Sequence, residues 1–106
     1  MNFKNIKELL VESPEVVVDN SSFYIKRVPN THKTDYIIRF KNNSFLDNKK
    51  IDVIKINNKN RNVIICFEDG SNKTDDITKL NVKDLIIKTA IMKAVKVSYE
   101  ELNDTI

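Results

Sequence analysis

The sequence predicts an α+β fold in a single domain spanning residues 1–106: a strongly bent antiparallel sheet of about five strands, able to close as a small barrel, flanked by an N-terminal and a C-terminal helix. Three observations carry this expectation. Apolar residues recur at helical spacing near both ends of the chain, whereas β-branched and aromatic runs broken by polar turns fill residues 15–80. With 106 residues, 41% apolar and 31% charged, the chain can bury roughly two-thirds of its unfolded surface, which suits one core; two domains would each be too small.

The first helix is predicted over residues 1–12, where Phe3, Ile6, Leu9 and Leu10 share a face, Asn2 is placed to cap the start, and Ser13-Pro14 closes the end. Val16 to Val18 and Phe23 to Val28 read as strands joined by the polar turn Asp19-Asn20-Ser21-Ser22. After a loop at Pro29 to Thr34, Tyr36, Ile38 and Phe40 alternate with Ile37 and Arg39 as in a half-buried strand. Residues 41–50 read as a polar loop anchored by Phe45-Leu46. Ile51 to Ile56 and Asn62 to Glu68 form the clearest hairpin, and the change of phase between Ile51/Val53 and Ile54/Ile56 calls for a bulge or sharp bend. The only glycine, Gly70, sits in the turn Glu68-Asp69-Gly70-Ser71, where a positive φ is wanted. An extended segment then runs toward Ile77 and Leu80. The last helix is predicted over residues 81–97, capped by Asn81, with the alternative that residues after Met92 turn to strand because Val95, Val97 and Tyr99 alternate with polar neighbours. One stripe of this helix is Val82, Leu85, Ile86 and Thr89; Ile87, Ile91 and Val95 form a second, expected to include an exposed apolar strip for partner docking or self-association.

From Lys50 to Leu85 the order is a hairpin, a Phe67-Glu68-Asp69-Gly70 turn and a trailing strand, which resembles the corresponding part of Tudor-like and SH3-like small barrels. The resemblance covers about a third of the chain. It implies a barrel-like shape and a role in binding proteins or nucleic acids. The aromatic cage with which some Tudor domains read methylated side chains has no counterpart here, so no functional residue follows from the resemblance.

Reactive groups are scarce. One Cys and one His cannot supply a structural zinc site, and one Gly excludes the usual phosphate-cradling loops, so neither metal nor cofactor is expected. Cys66 lies in an apolar strand and reads as a small buried hydrophobe; His32, three residues from Asp35, has no nucleophile motif beside it. Glu68, Asp69, Asp75 and Asp76 gather in sequence around the glycine turn and read as an acidic hairpin tip or a contact for a basic partner. Lys49, Lys50, Lys55, Lys59 and Arg61 make the preceding hairpin basic and are the candidate phosphate contacts of a nucleic-acid-binding alternative.

No uninterrupted apolar stretch exceeds the five residues Val63 to Phe67, far short of the roughly 20 a spanning helix needs, and no signal-peptide pattern follows Met1-Asn2-Phe3-Lys4. A cytoplasmic protein without membrane contact is expected. Lys, Asn and Ile make up 43 of the 106 residues, and their A/T-rich codons point to a low-GC bacterium or its phages. With no catalytic constellation, the expected function is that of a non-enzymatic small binding protein acting on another protein, in the manner of a phage or mobile-element inhibitor of a host nuclease or nucleoprotein complex in nucleic-acid processing or defence. Weak nucleic-acid contact by the basic hairpin is the alternative, and a homodimer stays open.

Overall fold

The computed structural model describes residues 15–29, 34–57 and 61–104; the expected N-terminal helix lies outside them. The β-branched runs form β1 (Glu15–Asp19), β2 (Phe23–Pro29), β3 (Thr34–Phe40), β4 (Phe45–Leu46), β5 (Lys49–Asn57), β6 (Asn62–Phe67) and β7 (Asn72–Asp76), and one helix follows, α1 (Leu85–Asp104). All strand pairs are antiparallel, in the order β1-β2-β3-β5-β6-β7, with β4 paired to the start of β5. The sheet is open: β1 and β7 are its two edges and do not pair, so the barrel closure expected from sequence is absent.

The described residues hold seven strands against about five expected: β4 lies in what reads as a polar loop, and β7 is the extended segment after the glycine turn. β4 and β5 enclose the two-residue turn Asp47-Asn48, whose φ values of 53° and 63° are both left-handed. This is the turn that matches strand twist, and Asp and Asn tolerate it. β7 is polar throughout and ends at Asp76 rather than running on to Leu80. There the Asp76 carboxylate accepts from the Thr78 N–H at 2.7 Å, and the Leu80 N–H donates to the Asp76 carbonyl at 3.1 Å, which turns the chain away from the sheet. The phase change in β5 is a register shift between Ile51 and Val53, the bulge that the alternation called for. At the glycine turn, Gly70 has φ 91° and the Asp69 carboxylate accepts from the Ser71 N–H at 2.8 Å.

Register places Ile25, Ile38, Ile54 and Ile65 side by side across four strands, each with 0% exposure. Tyr36, Ile56 and Val63 form the next row on the same face, and Phe23 meets Phe40 edge-on at 6.3 Å between ring centres. Tyr36 is fully enclosed, and its hydroxyl has no hydrogen-bond partner among the described residues.

Helix α1 covers this face and contacts β3 and β5. It turns inward Ile87, Ala90, Ile91, Ala94 and Ser98, a stripe at steps of three and four residues. The small side chains let the helix approach a sheet surface of bulky isoleucines. The helix starts at Leu85, not Asn81: the Asp84 carboxylate accepts from the Ile87 N–H at 3.0 Å, so Asp84 is the cap. Residues 92–104 continue as helix, which removes the strand alternative after Met92. Among the described residues no helix is long and apolar enough to cross a membrane.

Replacing Ile65 by Ala is expected to cost about 2–5 kcal/mol, since it opens a cavity in the central row, whereas Ile64→Ala on the half-buried opposite face costs less. Urea unfolding of the two variants measures the difference.

Candidate functional site

The three groups of residues singled out in the sequence occupy different places in the fold. The acidic residues do not gather at the glycine turn. Glu68 and Asp69 lie at the tip, while Asp75 and Asp76 lie at the far end of β7, about 13 Å along a five-residue strand. Each pair has local work. Glu68 meets Lys50 at 3.1 Å and Asp69 meets Lys49 at 3.6 Å. The Ser71 hydroxyl and N–H, and then Lys49, hold the Asp69 carboxyl below its ordinary pKa. The Thr78 hydroxyl and N–H, with Lys79 and Arg61, do the same for Asp76.

The basic hairpin is likewise dispersed. Lys49 and Lys50 stand at the start of β5, paired with those acids; the Lys49 ammonium also reaches Ser71 Oγ at 3.1 Å and lies 5.5 Å above the Phe67 ring. Lys55 is exposed on the sheet face opposite α1, and Arg61 stacks 5.8 Å from the Tyr99 ring at the other end of the strand. Lys59 and His32 lie outside the described residues. Asp35 accepts a hydrogen bond from the Asn57 amide at 2.8 Å. Cys66 is half-buried, between Val53 and Asn72 on the outer face. Among the described residues no three His, Cys, Asp or Glu side chains come together to hold a metal.

The helix stripe is a correction. Ile87 and Ile91 are buried in the core and Val95 is half-buried against it, so they are not an exposed strip. Among the described side chains of α1 the exposed apolar ones are Leu85 at 75%, Met92 at 62%, Ile86 and Tyr99. The reason is where the helix begins. Val82 and Leu85 would share a face only if both were helical; residues 81–84 are not, so Val82 enters the core from an irregular segment and Leu85 points to solvent. Ala90, Ala94 and Ser98, spaced by four, were the sequence signal for the inner face. They were overlooked because small residues carry little hydrophobic weight.

Leu85, Met92 and Tyr99 are seven residues apart and therefore lie nearly in line along the helix. Beside them is an apolar cleft of about 600 Å³. Ile77, Leu80 and Val82 form one wall and Met92, Val95 and Tyr99 the other, with Lys88, Lys96 and Glu100 at the rim. The wall is the chain that leaves β7 at the Asp76 turn, so the same local hydrogen bonds that end the strand shape the cleft. No family model matches the chain, and comparison with curated proteins and with solved structures gives no match either.

Ile91→Asp is expected to abolish folding by placing a charge in the core, whereas Met92→Asp changes stability by no more than about 0.5 kcal/mol; circular dichroism melts of the two variants separate these outcomes. Because Asp69 and Asp76 have lowered pKa values in the folded state, their contribution to stability is complete above the ordinary aspartate range and is lost as pH falls through the lowered values. The urea midpoint should therefore drop on acidification below about pH 4, and less steeply in an Asp69→Asn, Asp76→Asn double variant.

Proposed function

We propose that this chain is a non-enzymatic binding protein that acts by contact with another protein, through the outer face of α1 and the cleft beside it. The observation that carries this reading is the exposure of Leu85 and Met92 next to a cleft walled by Ile77, Leu80 and Val82. A surface of this kind stays wet at a cost unless a partner covers it. The finer reading, a phage or mobile-element inhibitor of a host nucleic-acid-processing or defence enzyme, rests on the small size and on a composition rich in Lys, Asn and Ile, residues whose codons are A/T-rich. The resemblance of residues 50–85 to Tudor-like and SH3-like domains agrees with a binding role and contributes no residue to the surface.

Nucleic-acid binding by the hairpin has less support. Phosphate contact wants cations gathered on one face, whereas Lys49 and Lys50 are engaged by Asp69 and Glu68 and stand at the opposite end of β5 from Arg61.

A photo-crosslinking residue installed at Met92, and in a control at Lys26 on the opposite sheet face, tests the proposal. Covalent capture of another protein at position 92, absent at position 26 and lost when Leu80 is changed to Glu, is the expected result. Binding of a short duplex at low salt, with a logarithmic salt slope of about −3 to −5 and no crosslink at 92, would favour the hairpin instead.

A further inference from the structure

Among the described residues most cations of the sheet are paired with carboxylates, Lys26 and Lys55 being the exceptions. On the sheet, Lys41, Lys49, Lys50, Lys73, Arg27 and Arg39 each meet a carboxylate within 4 Å. On α1, Lys88, Lys93 and Lys96 are all exposed, and none forms an ion pair with a described residue. At 100° per residue Lys88 lies on one flank of the line through Leu85, Met92 and Tyr99 and Lys96 and Lys93 lie on the other with Glu100 between them, while Lys88, Lys96 and Glu100 all border the cleft. Helix stability does not account for the arrangement. Lys88 falls in the first turn, where the helix dipole disfavours a cation, and the last turn has no basic residue.

From this placement we infer that the occupant of the cleft and the helix face is an acidic amphipathic helix of a partner protein. The inference rests on the reading of this surface as a protein-docking site and names the partner's chemistry. An apolar ridge at heptad spacing fits the line of Leu85, Met92 and Tyr99 and the adjoining cleft, and carboxylates on both sides of that ridge meet the three lysines. Concavity separates this occupant from a lipid bilayer, which offers a plane to a protruding apolar face. Composition separates it from nucleic acid: the cleft is walled by aliphatic side chains and holds one aromatic ring, Tyr99, where stacking would need several.

The test uses a fluorescent three-heptad peptide, stapled to stay helical and monomeric, with Leu at the ridge positions and Glu on both flanks. Peptides with Lys or with Gln on the flanks serve as controls, and binding is followed by anisotropy and by methyl NMR of the full chain. The acidic peptide should bind, shift the methyl signals of Ile77, Leu80 and Met92, and weaken with salt. Its affinity should fall by about tenfold in Lys88→Glu, Lys96→Glu, two exposed substitutions whose melting temperature checks the fold. Equal binding of the Gln or Lys peptide at the same signals would overturn the acidic partner while sparing the docking surface. Failure of all three peptides would overturn both. Tighter competition for the same signals by an oligonucleotide or by phosphatidylglycerol vesicles, or a dimer in sedimentation abolished by Met92→Glu, would assign the face to nucleic acid, to membrane or to a second copy and would equally end the proposal.

Discussion

Four isoleucines in register, Ile25, Ile38, Ile54 and Ile65, impose the constraint from which the rest of the structure follows. Four fully buried side chains of this kind contribute on the order of 2 kcal/mol each, a large part of what a small domain has in hand. They do so only if another layer excludes water from them. The sheet is open and cannot close over its own face, so the cover must come from elsewhere in the chain, and among the described residues α1 supplies it. Ala90, Ala94 and Ser98 bring that helix near the sheet, and the polar one of the three is satisfied internally: the Ser98 hydroxyl donates to the Val95 carbonyl at 2.8 Å.

Once that face of α1 is committed, its rotation is set, and so is everything it presents to solvent. Leu85, Met92 and Tyr99 point outward because Ile87, Ile91 and Ala94 point inward. The same rotation carries Lys88, Lys93 and Lys96 outward, away from the carboxylates of the sheet. A binding surface thus arises on the back of a packing requirement. The cleft needs one further element, the irregular 77–84 segment, whose course is fixed at one end by Asp76 and at the other by the Asp84 cap.

Among the described residues the two edge strands are poor templates for pairing with other chains. Edge strand β7 is polar at every position, and edge strand β1 carries Glu15 and Asp19 at its ends and a register irregularity between Val16 and Val18. Such edges discourage strand addition. The sheet face opposite α1 mixes Ile37 and Ile64 with Lys26 and Lys55 along one row, which breaks up its apolar area. On the helix layer the exposed Leu85 and Met92 stand beside Lys88, Lys93 and Lys96, none of which forms an ion pair with a described residue.

Local pattern was enough to reveal most of the strands, the β5 bulge and the glycine turn, because alternation, β-branching and a single Gly report directly on backbone conformation within a few residues. It also revealed a C-terminal helix, though not its first residue: Asn81 and Asp84 are both competent caps, and the choice falls to Asp84 because Val82 is drawn into the core from outside the helix. Which of two apolar stripes faces the sheet, whether the sheet closes, and which lysines find carboxylates depended on tertiary packing. Each is a relation between residues far apart in sequence, as Lys49 with Asp69 or Ile38 with Ile54 are. Periodicity defines the faces of an element; only the surface it packs against decides which one is buried.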